Sequence, residues 1–190
     1  MKWTVEATET VHRDRWVSLR ADACVNARGV PVAPYYVLEY SDWVNVLALS
    51  EDEQVIMVRQ YRHGVGRVCV ELPGGAVDEG ESPAAALRRE LLEETGFEVG
   101  QLEATVSLTP NPATHDNWVH SFLARDCRRV ADPRLDATED IEVVTVPIPE
   151  FVERLLGGEL AQAMHFASAM AGLRALGLVE VAGLGSSLRA

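Results

Sequence analysis

An α/β fold is predicted by three features of this 190-residue chain. Stretches with strand character recur before residue 73 and again after residue 100. Between them, Ser82 to Gly96 carries the start and stop signals of a single helix. A second helical segment, Leu160–Leu176, rich in Ala, Leu and Met, follows the last strand. Apolar residues make up 47%, enough for one well-formed core, and the length fits a single globular domain.

Five strands are predicted first, at Thr4–Val11, Trp16–Val25, Val32–Tyr40, Val44–Leu49 and Gln54–Tyr61. Asn26-Ala-Arg-Gly29 and Glu51-Asp-Glu53 mark turns among them. Arg67–Leu72 reads as a further strand that runs directly into a Pro73-Gly74-Gly75 loop. After the central helix, Leu102–Leu108, Trp118–Ala124 and Ile141–Val146 are strand-like. Pro149 can open a short helix, Glu150–Leu156, which Gly157-Gly158 stops. In the last helix, Met164 and Met170 sit on an apolar packing face. There is no internal repeat and no low-complexity segment.

The central helix is the most informative element. Ser82 can cap its N-terminus, and Pro83 then occupies the first helical position, where a missing N–H costs nothing. Ala84 to Glu94 are nearly all strong helix formers. Gly96 falls where a left-handed residue ends a helix, and Phe97 can fold back onto Leu91 or Leu92. Leu87 and Leu91 offer one stripe to a core. Glu90, Glu93 and Glu94 project together from a neighbouring side. Three carboxylates so placed repel one another unless a cation sits among them, and hard divalent ions favour such oxygens together with substrate phosphates. A solvated acidic face is the plain alternative. It accounts neither for the Gly-Gly loop before the helix nor for Arg89 directly before the first glutamate.

From Gly75 to Phe97 the chain reads Gly-x5-Glu-x7-Arg-Glu-Leu-x-Glu-Glu-x-Gly-Phe, with Gly75, Glu81, Arg89, Glu90, Glu93, Glu94 and Gly96 in place. This resembles the signature of the Nudix hydrolases without a departure. The resemblance implies an α/β/α sandwich with a mixed sheet that cleaves a diphosphate linked to another moiety, using Mg²⁺ or Mn²⁺. It further implies that Glu90 and Glu94 are the principal metal ligands, with Glu93 a further ligand or a contact to metal-bound water. The Gly74 carbonyl is another implied ligand. Arg89 would orient the glutamates, and Glu81 would lie at the edge of the cluster.

Some 40 residues precede Trp43-Val-Asn-Val-Leu, more than a minimal Nudix domain needs. The branch acting on ADP-ribose and related nucleoside diphosphate sugars carries a similar N-terminal β extension, which mediates homodimerisation. The expected organisation is therefore an extension over 1–41, a Nudix domain over 42–180 and a tail over 181–190. A dimer is preferred over a hairpin that merely extends one sheet, because so long an exposed hairpin leaves edges unpaired.

Val58-Arg-Gln-Tyr-Arg-His-Gly, continuing to Glu71-Leu-Pro-Gly-Gly, also resembles that branch, where the first arginine and a glutamate at the place of Glu71 lie near the catalytic centre. Arg59 and Arg62 are the expected phosphate contacts, since arginine captures phosphate oxygens bidentately. Strand-end solubility is the alternative. Pro112 stands close to the branch's characteristic proline, although Asn-Pro-Ala-Thr departs from the Ser-Pro-Gly common there and leaves the sugar moiety open. His115, Asn117 and His120 either read a substrate hydroxyl or cap a turn. In Asp136-Ala-Thr-Glu139-Asp-Ile, Glu139 matches a glutamate that often serves as general base or holds an extra metal. An acidic surface loop explains it equally well. Glu93 is the second choice as base. Tyr36 and Trp43 read as packing aromatics before nucleobase platforms.

The net charge of −12 argues against nucleic-acid backbone binding, which needs a basic surface. Cys24, Cys69 and Cys127 are too few and too scattered for a disulfide framework or a zinc site, and Cys69 reads as a small core residue. Acidic residues appear by position 6 of MKWTVEATET, which lacks the apolar core of a signal peptide, and no apolar run reaches membrane length. The expectation is a cytoplasmic, Mg²⁺- or Mn²⁺-dependent hydrolase of a small-molecule nucleotide, with ADP-ribose the first candidate and no membrane partner. The alternatives are another Nudix substrate, or a non-catalytic nucleotide-sugar sensor.

Overall fold

A computed structural model describes residues 1–180; the expected tail, 181–190, lies outside the described residues. Two compact units are present, one formed by Met1–Asp42 with Leu108–Val119, the other by Trp43–Ser107 with the chain from His120 onward.

In the first unit, β1 (Thr4–Arg13), β2 (Ser18–Val25) and β3 (Pro31–Glu39) make an antiparallel sheet in the order β1-β2-β3. Asn26 turns β2 into β3, its Oδ1 accepting the N–H groups of Arg28 and Val30, while Gly29 takes a positive φ of 78°. Arg20 on β2 bonds Asp22, Glu39 and Asp116, so one guanidinium gathers three carboxylates from separate segments. Segment 108–119 joins this unit through backbone bonds, Leu38 N–H to Thr114 O at 2.7 Å and Asp116 N–H to Leu38 O at 3.3 Å. Strand β1 is exposed at every position.

The second unit holds β4 (Trp43–Ser50), β5 (Gln54–Arg62), β6 (Arg67–Glu71), β7 (Gly74–Ala76), β8 (Phe97–Glu98), β9 (Gln101–Leu108) and β10 (Val119–Arg129) apart from their end residues Leu108 and Val119, and β11 (Ile141–Pro147). Its helices are α1 (Pro83–Thr95), α2 (Ile148–Leu156) and α3 (Ala163–Ala175). The sheet runs β11-β5-β4-β10-β8, with β6 on β5, β7 on β4 and β9 on β10. Side chains alternate across each strand, so each face has its own core. On one face Val44, Val46, Ala48 and Ile56 meet Ala86, Leu87 and Leu91 of α1, and Phe97 belongs to the same core cluster. On the other face Leu47, Leu49, Val55, Met57, Val70 and Leu72 meet Phe151 and Leu155 of α2 and Ala169 and Leu173 of α3. Helices thus cover both faces, which gives the α/β/α sandwich and explains why β4 is buried almost throughout. Among the described residues no helix is long and apolar enough to cross a membrane.

Two short strands depart from the sequence-based expectation. Gly74–Ala76 pairs with β4 (Asn45 with Gly74, Val44 with Gly75, Trp43 with Ala76) where a loop is predicted. Phe97–Glu98 pairs with Arg128 and Arg129 of a β10 that runs five residues past its predicted end, from Ala124 to Arg129. Glycine disfavours strands locally, and here a partner distant in sequence supplies the ladder bonds.

Candidate active site on the central helix

Local chemistry starts and ends α1 as its sequence dictates. Ser82 Oγ accepts the Ala85 N–H at 3.3 Å, Pro83 follows, and Gly96 closes the helix at φ 75° with its N–H on Leu92 O at 2.9 Å. With Leu87 and Leu91 anchored in the core, the glutamate side of the helix faces the Pro73–Ala76 segment.

Arg89 organises that side. Its Nε and Nη2 take both oxygens of Glu81, at 3.2 and 2.9 Å, and Nη2 also reaches Ala76 O at 3.0 Å. Its Nη1 bonds Glu90 at 2.8 Å and Glu93 at 3.3 Å. One guanidinium therefore joins the loop to the helix and turns three carboxylates toward a common point. The Arg89 fork holds the Glu81 carboxyl below its ordinary range. Glu94 is only 5% exposed, and its Oε2 accepts the Gly74 N–H at 2.9 Å. Burial, with the nearby charges of Glu90 and Glu139 against it, pushes Glu94 up to about 8. Burial likewise raises Glu90.

These groups suit a divalent cation. Buried carboxyls that resist ionisation in one another's company are what a bound cation would stabilise as carboxylates. Gly75 leaves room for the arrangement, since a Cβ there would overlap the Glu90 carboxyl group, and a Cβ at Gly74 would overlap the Val44 carbonyl. Among the described residues no group of three or more His, Cys, Asp or Glu side chains is placed to hold a metal ion by itself. Mg²⁺ seldom needs such a group, because it is usually held by one or two carboxylates with water and substrate phosphate.

Arg62 and Glu71 stand on the same face of the sheet as α1. Arg62 binds Glu71 through Nε, at 3.0 and 3.1 Å, and through Nη2 at 2.6 Å, and Gln60 Nε2 adds a bond to Glu71 at 3.0 Å. Glu71 is 3% exposed. The paired Glu71 raises the Arg62 pKa, and the charge of Glu94 contributes in the same sense. Arg59 lies on the other face. On β5, residues 56, 58, 60 and 62 share the α1 face, whereas Arg59 shares the α2/α3 face with Val55 and Met57. It pairs with Glu142 at 3.1 Å in a cavity of about 500 Å³ lined also by Val68, Val70, Val144 and Arg154. Reading strand parity through Arg59-Gln-Tyr-Arg62 would have separated the two arginines.

Glu139 sits in the turn before β11, its Oε2 accepting the Asp136 N–H at 2.9 Å, and its charge reaches both Glu90 and Glu94. Pro112, His115 and Asn117 belong to the first unit. Pro112 is exposed, His115 stacks on Tyr40 with centroids 5.6 Å apart, and buried Asn117 donates to Ser41 O at 2.9 Å, which is a structural bond. His120 on β10 bonds Ser107 at 2.9 Å. Tyr36 is exposed and Trp43 half-buried. Two contributors went unread in the sequence. Gln60 buttresses Glu71, which strand parity would have revealed. His165 accepts the Leu72 N–H at 3.1 Å across 93 residues of chain, which no local pattern signals.

Comparison with known proteins bears on this geometry. Residues 40–165 match the family model described as the NUDIX domain, and residues 3–38 match the nucleoside diphosphate sugar hydrolase N-terminal domain. The chain is similar to an ADP-ribose pyrophosphatase of Mycobacterium tuberculosis, 33% identical over 87% of this chain and 80% of that protein. It is similar to an ADP-ribose pyrophosphatase of Bacillus subtilis, 32% identical over 67% of this chain and 69% of that protein. A crystal structure described as an ADP compounds hydrolase shares the fold with a TM-score of 0.79, covering 94% of this chain and 98% of that one at 24% identity.

Proposed function

The chain belongs to the Nudix family and is a pyrophosphohydrolase of nucleoside diphosphate sugars, and we propose that its substrate is ADP-ribose, cleaved with Mg²⁺ or Mn²⁺ to AMP and ribose 5-phosphate. The observation that carries the metal-dependent reading is Glu94, a carboxyl buried against the Gly74 N–H and raised by burial beside Glu90. Glu90, Glu93, Glu94 and the Gly74 carbonyl would hold the ion. Bound there, the cation would neutralise the diphosphate and acidify water.

The chain's own residues have separable tasks. Arg89 keeps Glu90 and Glu93 turned to one side while Glu81 fixes Arg89. Arg62, with Nε and Nη2 held by Glu71, stabilises charge that moves onto the leaving phosphate. We assign this role to Arg62 before Arg59 because Arg62 shares the sheet face of α1 and its carboxylates. Glu139 takes the proton from the attacking water, with Glu93 next in line. Pro112 is retained as a substrate contact by resemblance alone.

A homodimer built on the N-terminal sheet is part of the same reading. It is supported by a β1 strand exposed along its length and by exposed Trp3, Val5, Val11 and Trp16. Light scattering should give about twice 20.8 kDa, and a fully active monomer at micromolar concentration would refute it. A cytoplasmic location suits three cysteines that remain unpaired and buried.

The substrate is tested by product analysis over a panel of nucleotide sugars and nucleoside triphosphates with Mg²⁺ in ¹⁸O-water. ADP-ribose should give AMP and ribose 5-phosphate, with label in one phosphate product. Faster turnover of triphosphates than of every diphosphate sugar would overturn the substrate class.

A further inference from the structure

Leu72 leaves β6 where the β5–β6 ladder ends, at the pair Val58 and Glu71, so its N–H has no strand partner there. The residue is fully buried, and its donor must be met inside the protein. It is met by Nδ1 of His165, 3.1 Å away in the first turn of α3. The ring is itself buried, and burial lowers its pKa to about 4, so the imidazole is neutral and presents a lone pair at Nδ1 with its proton on Nε2.

The next two residues are tied in other directions. Pro73 O accepts the Val46 N–H of β4 at 3.1 Å, and the Gly74 N–H donates to Glu94 of α1 at 2.9 Å. Leu72, Pro73 and Gly74 are therefore anchored in turn to α3, β4 and α1. Gly74 pairs with Asn45 of β4, and a Cβ at Gly74 would overlap the Val44 carbonyl, so its backbone lies directly against that strand. A shift at Leu72 must pass through the stiff proline to Gly74.

We propose that His165 is a positioning residue, whose bond to Leu72 sets the orientation of the Gly74 carbonyl and hence the affinity of the metal site. The proposal rests on the metal-site reading given above. Ser168, one turn along α3, supplies the contrast. Its hydroxyl bonds Ser121 at 2.6 Å and Met164 O at 2.8 Å, and so ties the same helix to β10 without touching Leu72.

The test is Mn²⁺ binding to the full chain, followed by the electron paramagnetic resonance signal of free Mn²⁺, with thermal unfolding in parallel. His165→Asn keeps an acceptor where Nδ1 stood, whereas His165→Gln moves it one bond outward. His165→Gln should weaken Mn²⁺ binding by roughly 10-fold or more, and His165→Asn by no more than about threefold. Ser168→Ala should leave affinity unchanged even where it lowers Tm as much. Equal affinities of the Asn and Gln variants overturn the proposal, and so does a Ser168→Ala loss as large as that of His165→Gln. Wild-type protein gives a check that no folding failure can obscure. The ¹⁵N resonance of Leu72 should show a through-hydrogen-bond coupling to the imidazole nitrogen, and its absence also overturns the proposal. Glu94→Gln serves as a separate arm. Undiminished Mn²⁺ affinity there would sink the metal reading itself, whatever the His165 variants do.

Discussion

Arg59 and Arg62 are three residues apart, and exchanging each for alanine should separate them sharply. Arg62 lies on the α1 face with Glu71 and within the field of Glu94, and Arg59 lies on the α2/α3 face paired with Glu142. A hydrogen bond to a charged group contributes about 1.5–3 kcal/mol, so losing the proposed Arg62 contact to phosphate should lower kcat/KM by roughly 10- to 100-fold. The Arg59–Glu142 pair is exposed on both sides, 45% and 64%, so Arg59→Ala should cost no more than about 1 kcal/mol of stability. Its kcat/KM for ADP-ribose should stay near the wild-type value. Arg62→Ala carries a structural side effect, because it strands the buried Glu71 carboxylate. Breaking a fully buried pair costs about 3–5 kcal/mol, but the Arg62 side chain is 48% exposed, and screening by water brings the expected loss to about 1–2 kcal/mol. The double variant Arg62→Ala/Glu71→Gln removes the stranded charge, and it should regain most of the stability while activity stays low. Steady-state kinetics and urea unfolding on the four proteins decide the matter. The reasoning fails if Arg59→Ala loses as much kcat/KM as Arg62→Ala, or if the double variant recovers activity along with stability.

Glu94→Gln keeps an acceptor for the Gly74 N–H but removes the proposed anionic ligand, so turnover should fall by at least ~10²-fold. In metal-free protein the same exchange removes a carboxyl whose ionisation burial opposes, and Tm should not drop; near-normal turnover at matched Mg²⁺ would refute the assignment. Gly75→Ala places a methyl group on the Glu90 carboxyl and should reduce kcat while circular dichroism stays that of the folded protein. Acid should weaken the fold through His165. Its folded pKa of about 4 lies below the unfolded 6.5, so the unfolded chain takes the proton first, and stability is lost as pH falls from about 6.5 to about 4. The full loss is about 3 kcal/mol, read as the difference between wild type and His165→Asn in urea titrations across that range; parallel pH profiles for the two proteins would contradict it.

Much of the site was legible in the sequence because it is local. The span of α1 follows from Ser82, Pro83 and Gly96, and the clustering of Glu90, Glu93 and Glu94 follows from helical geometry over two turns. The core stripe of Leu87 and Leu91 follows from the same period. Arg62 and Arg59 were distinguishable in principle by alternation along β5, but only once it is known that helices cover both faces and that α1 is the one carrying the carboxylates. What the tertiary structure alone decided are the contacts that join distant segments. Gly74–Ala76 becomes a strand only because β4 presents a ladder to residues whose own preference is a loop. Segment 108–119, with Pro112, His115 and Asn117, packs on the N-terminal strands through Leu38. His165 meets the Leu72 amide because the chain must leave β6 inside the core with an unpaired donor, and α3 is the element that folds over it. A local pattern records the energies of neighbours in sequence, and the partner of a buried donor is chosen by whichever distant side chain the packing brings within reach.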